Sequence, residues 1–266
     1  MTAPSASLHR IPRYPHAWAW LLMLSQLLVA AAWCRWGWTL GLPLLLASHA
    51  SFWWGTLWPQ SALFGPVLNR LPTAERIVWL TIDDGPSDDT LTVLDALDAH
   101  DAKATFFLVG ERAARHPERV REILRRGHGI GNHSATHPAR WFWALGPARM
   151  RHEIAATQKI LADIGGEPPR WFRAVVGMSN PFVNAALKAH GLARVAWNAR
   201  GFDGVEADPQ TVVARIERGL SPGAIVLLHE GAAHGRNVEA LSLLLKRLDA
   251  LGYRTMLPEP LLPEPL

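Results

Sequence analysis

The stretch Ile77-Val78-Trp79-Leu80-Thr81-Ile82-Asp83-Asp84-Gly85-Pro86 decides the fold class. Its first six residues, rich in β-branched and aromatic side chains, predict a buried strand from Ile77 to Ile82, and the Gly-Pro pair ends it. Two adjacent carboxylates leaving an apolar strand repel unless a cation or a proton is shared. The pair therefore points to one metal ligand and one acid–base group. Alone, Asp-Asp-Gly also fits a turn or a cap.

Outward from this strand, short apolar runs alternate with helix-period segments, the pattern of repeated βα units and parallel strands. Further strands are expected near Ala104 to Val109, Gly129 to Asn132, Arg170 to Arg173, Ala193 to Asn198, Ala224 to His229 and Tyr253 to Leu257. Helices are expected from Asp88 to Ala99, Pro117 to Arg126, Pro147 to Ile164, Asn180 to Ala189 and Asn237 to Leu251, and from Pro209 to Gly219 with Asp208 as cap. So many strands in under about 200 residues predict a small, incomplete α/β barrel, with catalytic groups at the strand C-terminal ends.

Polar clusters fall at those ends. His133-Ser134-Ala135-Thr136-His137 sets two imidazoles at i and i+4, adjacent if the segment is one helical turn and able to share one ion. A carboxylate and two histidines leave coordination positions open for water and substrate. Leu227-Leu228-His229-Glu230 brings another histidine out of an apolar strand.

The first 70 residues differ in composition, with Arg10, Arg13, Arg35 and Arg70 their only charged side chains apart from histidine. These four account for the net charge of +4, so the rest of the chain is balanced and no basic stripe points to nucleic acid. Apolar runs Ala17 to Trp33 and Trp36 to Trp54 each approach the ~20 residues that cross a bilayer. Eight of the 13 tryptophans precede residue 60, as in an aromatic belt. A transmembrane helical hairpin is expected, giving a multi-pass inner-membrane protein with both ends on the side of Arg10, Arg13, Arg70 and Arg76, the cytoplasmic one. A cleaved signal peptide ending near Ala30-Ala31-Ala32 is the alternative. If the second run, with Pro43 and His49, lies in the interface instead, the catalytic domain is periplasmic. The lone Cys34 excludes an internal disulfide.

From Val78 to Leu257 the chain resembles the polysaccharide deacetylases of the NodB homology type, carbohydrate esterase family four. Thr81 to Gly85 is similar to the family's T-F-D-D-G motif, implying Asp83 as general base and Asp84 as metal ligand. His133 to His137 is similar to H-[ST]-x-x-H, implying the two other ligands of a divalent ion, zinc or alternatively cobalt. Arg173-Ala174-Val175 resembles R-x-P with Val175 in place of proline, implying Arg173 as the orienter of the base and a backbone N–H near Val176 for the oxyanion. Trp197 to Asp203 resembles the fourth motif without its final tryptophan, implying Trp197 as a wall and Asp203 as the partner of a catalytic histidine. Ile225 to His229 is similar to the fifth, with Leu227 lining the acyl pocket and His229 as general acid.

The resemblance implies an incomplete (β/α)7-type NodB-like barrel over 77–258. A membrane anchor over 1–58, a linker over 59–76 and a Pro-rich tail over 259–266 complete the organisation. The implied activity is metal-dependent removal of the N-acyl group from an amino sugar in a polysaccharide or lipid-linked glycan. The alternatives are an O-acetyl esterase and a silent glycan-binding module.

Overall fold

The computed structural model describes residues 8–258, so the tail at 259–266 lies outside the described residues. Helices α1 (Ala17–Trp36) and α2 (Trp38–Leu57) are joined at Gly37, whose positive φ of 70° turns the chain. They run side by side: Ser25 and Ser48 hydroxyls are 2.9 Å apart, and Gly41 lets the Trp33 ring approach closely. Of the two, α1 alone combines the length and hydropathy of a membrane span. The expectation of two spans is corrected to one candidate, because Thr39, Gly41, Pro43, Ser48, His49 and Ser51 dilute the apolar character of α2.

The α/β region follows. It comprises β1 (Ile77–Gly85), α3 (Thr90–Asp98), β2 (Ala104–Leu108), α4 (Gly110–Arg115), α5 (Pro117–Arg125), β3 (Gly129–Asn132) and α6 (Pro147–Gly165). It continues through β4 (Trp171–Phe172), α7 (Val183–Ala189), β5 (Ala193–Arg194), β6 (Ala199–Arg200), α8 (Pro209–Glu217), β7 (Ala224–His229), α9 (Asn237–Ala250) and β8 (Arg254–Thr255). The strands are parallel in the order β5-β4-β3-β2-β1-β7-β6, with β8 also on β1. As expected the barrel is incomplete, since β5 and β6 form the two ends of this path.

Of the six residues expected as one strand, Ala193 to Asn198, only the first two form one, and the next strand begins just beyond them. Ala193–Arg194 pairs with β4, then the chain crosses the open seam and Ala199–Arg200 pairs with β7. Residues 59–76 pack into that seam rather than hanging free. Leu68 donates its N–H to the Arg194 carbonyl (2.9 Å) and accepts from Ala196 N (2.8 Å), while Leu71 N reaches Gly223 O (2.8 Å).

Side chains alternate along β1. Val78, Leu80 and Ile82 face outward into a core shared with Val93, Leu97, Leu241 and Leu244 of the covering helices. Trp79 faces the barrel interior with Phe107, Trp171, Trp197 and Ile225. The same alternation turns Thr81 and Asp83 inward. A register shift between Asp83 and Gly85 then interrupts the ladder, and Asp84 sits there at a φ of 73°. This bulge lets two successive carboxylates take different partners at one strand end.

Candidate active site

Asp83, 3% exposed, places Oδ1 2.8 Å from Arg173 Nη1. Arg173 is wholly buried; it also donates to Thr81 Oγ1 (2.7 Å) and to the Ala196 carbonyl (3.2 Å), and lies 4.3 Å from the Phe107 ring centroid. Its charge has one carboxylate partner and an aromatic floor. A buried cation in that setting fixes the Asp83 carboxylate in position.

Asp84 turns the other way. Its Oδ1 is 2.9 Å from His137 Nε2 and 3.4 Å from His133 Nε2, and it is buried without a hydrogen-bond partner. Burial alone would raise its pKa, but the two imidazoles beside it hold it well below the usual carboxylate range. One ligand atom from each of Asp84, His133 and His137 falls within 4.8 Å of the others. His133 Nδ1 is 2.9 Å from the Arg173 carbonyl, so the N–H belongs there and Nε2 keeps its lone pair for the cluster. The orphaned carboxylate oxygen and the aimed imidazole nitrogens fit a divalent cation.

The histidine pair does not lie on a helical turn, contrary to the reading from its spacing. Ser134 (φ 69°) and His137 (φ 51°) are left-handed, and the segment is a loop. Its backbone is held by side chains: Glu153 accepts from Ala135 N (2.9 Å), Thr136 N (2.8 Å) and the Thr136 hydroxyl (2.9 Å), and Asn132 Oδ1 accepts from Ser134 N (3.1 Å). Glu153 is fully buried on α6 and escaped the sequence reading. A carboxylate among the apolar positions Met150, Ile154 and Leu161 was the available sign of it.

On the opposite wall, Asp203 accepts from His229 N (2.6 Å) and lies 2.9 Å from His229 Nδ1. Burial pulls the His229 pKa down, but the hydrogen bond and charge of Asp203, helped by Asp83 and Asp84, push it up to about 9. Asn237 and His234, also unforeseen, secure the Asp203 carbonyl at 3.1 and 2.8 Å.

Asp83, Asp84, His133, His137, Val176, Trp197, Leu227 and His229 line one pocket of about 160 Å³. Arg173 and Asp203 support it from behind. Val176 adopts a left-handed φ of 54° on its rim, and Val175 is buried among Phe142, Met150 and Phe172, where its apolar side chain packs in place of a proline ring. The pocket also includes Gly177, Arg200, Phe202, Gly204 and Val205, which the sequence did not single out. Arg112 donates to the Asp84 carbonyl, tying α4 to the bulge.

An α/β half-barrel with a carboxylate–histidine cluster, a clamped acid and an Asp–His pair at its strand ends defines a hydrolase, and the wider comparisons give its family. Residues 70–195 match the family described as polysaccharide deacetylase, and the chain belongs to that family. It is 34% identical over 192 residues to a chitooligosaccharide deacetylase of Bradyrhizobium sp. (strain ANU 289), covering 67% of this chain and 87% of that one. It is also 34% identical over 197 residues to a peptidoglycan-N-acetylglucosamine deacetylase of Bacillus cereus, covering 71% and 90%. The structure of a family 4 carbohydrate esterase from Streptomyces lividans in complex with acetate superposes with a TM-score of 0.64 at 32% identity, covering 71% of this chain and 95% of that one. The chain is thus a carbohydrate deacetylase by family.

Proposed function

We propose that the chain is a divalent-metal-dependent deacetylase that hydrolyses the N-acetyl group of an amino sugar in a glycan or lipid-linked glycan, held at a membrane surface by α1. The observation that carries this is the convergence in one pocket of the Asp84–His133–His137 cluster, the Asp83–Arg173 pair and the Asp203–His229 pair.

Asp84, His133 and His137 would hold a divalent ion, which when bound would supply a Lewis acid for the acyl carbonyl and lower the pKa of water towards ~7. The chain's own groups then move protons. Asp83, with Oδ1 fixed by Arg173, takes the proton of the attacking water on Oδ2. His229, with Nδ1–H directed to Asp203, protonates the leaving amine from Nε2. The Val176 backbone N–H supports the developing oxyanion, and Trp197 and Leu227 enclose the acyl group.

Anchoring finds support in how the front end packs. Thr56 accepts from Ser179 N (2.9 Å), Gln60 donates to the Trp197 carbonyl (2.6 Å), and the Trp53–Trp143 and Trp18–Phe182 rings meet at 5.3 and 5.5 Å. Cleavage after Ala32 would remove most of α1, and with it the Trp18 ring packed on Phe182 and the Ser25 hydroxyl that meets Ser48. Retention as an anchor is the more economical reading.

Acetate release from N-acetylglucosamine oligomers, and from a lipid-linked N-acetyl amino sugar, tests the activity in zinc- or cobalt-loaded full-length protein. Turnover that stops with a chelator and returns with metal is expected. Absence of turnover on both substrates, with metal demonstrably bound, would refute the assignment.

A further inference from the structure

The pocket contains a cation for which the deacetylation chemistry has no use. Arg200, at the end of β6, lines it beside Trp197, Phe202 and Val205. Its guanidinium carbon lies 3.9 Å from the Phe202 ring centroid and 5.2 Å from that of Trp197. Its Nε is buried and has no hydrogen-bond partner.

Two neighbouring arginines show what is missing. Arg173 meets Asp83 at 2.8 Å, and Arg215, which approaches the same Phe202 ring at 5.8 Å, meets Glu206 at 3.1 Å. Arg200 forms no ion pair with any carboxylate among the described residues. Asp203 and Asp83 act on it only from beyond ion-pair distance, and burial outweighs their charge, so an anion in direct contact is favoured.

The turn carrying this group is itself imposed by packing. A Cβ on Gly201 would meet Val212 at 2.5 Å, so the backbone runs tight against α8, and Phe202 follows at a left-handed φ of 64°. A bulky residue adopts that conformation only where its surroundings dictate it. Here the result is an exposed ring laid over Arg200. Stacking occupies the face of the guanidinium and leaves its in-plane donors for a forked contact with two oxygens.

We propose that Arg200 anchors an anionic substituent, a phosphate or a carboxylate, on the acylated sugar, which makes the substrate an acidic amino-sugar derivative rather than a neutral oligosaccharide. This rests on the deacetylase reading for the identity of the sugar, and its test does not depend on turnover. Binding of N-acetylglucosamine, N-acetylglucosamine 1-phosphate and N-acetylmuramic acid to zinc-loaded full-length protein is measured by titration calorimetry.

At least one acidic sugar binds ten-fold or more tighter than the neutral one, and which acid prevails distinguishes phosphate from carboxylate. Arg200→Met abolishes most of that preference, while Arg200→Lys retains part of it. Arg200→Gln gives the same loss if the methionine variant does not fold. Equal affinity for all three sugars overturns the proposal. So does a preference that persists in Arg200→Met, the result expected if the metal alone holds the anion. Failure to release acetate from any N-acetyl sugar would instead remove the deacetylase assignment and leave this binding result standing.

Discussion

Replacing Asp203 with asparagine keeps the shape of the side chain and removes its charge, which isolates the electrostatic support of His229. In the intact protein burial works against the imidazolium, yet the pKa stands at about 9 rather than the ordinary 6.5, because Asp203 both accepts from Nδ1 at 2.9 Å and contributes a buried negative charge. The difference corresponds to roughly 3 kcal/mol favouring the protonated form. Without the carboxylate, burial dominates and the pKa falls below 6.5. At pH 7.5 less than about a tenth of the enzyme then carries the general-acid proton, so kcat/KM falls by up to about ten-fold and recovers as the pH drops towards 6. A bound divalent cation repels the imidazolium, which puts the alkaline limb of the wild-type profile between 6.5 and 9. Because the folded-state pKa is raised, the associated stability is fully present below pH 6.5 and is lost as pH rises through about 9. The assay is a pH–rate profile of acetate release for both proteins at saturating metal. An alkaline limb that stays in place in Asp203→Asn would refute this account of His229.

Other expectations concern the metal, the loop and the wall. Asp84→Ala removes the carboxylate of the ligand set and, after dialysis, leaves less than a tenth of the wild-type metal by elemental analysis, with activity down about a thousand-fold. Glu153→Ala frees the Ala135 and Thr136 N–H groups and costs about 2–4 kcal/mol in denaturant unfolding, while weakening metal binding ten-fold or more; retention of wild-type metal affinity would show the His133–His137 loop to be held otherwise. Gly177→Ala combines a φ of 73° with a Cβ placed 2.4 Å from the Trp197 ring, so Trp197 must shift and KM rises several-fold with a smaller change in metal affinity.

Much of the scaffold was legible because long apolar runs have few alternatives. The runs that became β1 and β7, and the Gly129–Asn132 strand, lie where expected, and Asp208 caps α8 by accepting from Gln210 and Thr211. Legibility failed where structure depends on distant partners. Nothing local in the stretch from Ala193 to Arg200 says that its two ends pair with opposite edges of the sheet. The spacing of His133 and His137 satisfies a helix equally well, and partners from other elements, Glu153, Asn132 and the backbone of Gly110 and Glu111, select the loop. The site's residue types were visible as motifs, whereas Arg200 and Phe202, inside the Trp197 to Asp203 segment, are given no role by it and gain meaning from a turn pressed against α8.

The seam between β5 and β6 has a practical corollary for anyone shortening this chain. Residues 68–71 supply the backbone groups that satisfy Arg194, Ala196 and Gly223, and Leu8 joins Trp79 and Trp171 in the barrel interior. A fragment beginning at Ile77 would expose the unpaired margins of two strands, an invitation to intermolecular sheet growth. A fragment that keeps these pairings therefore has to start upstream of Leu68, and the stretch that looks like a tether behaves as a structural part of the catalytic body.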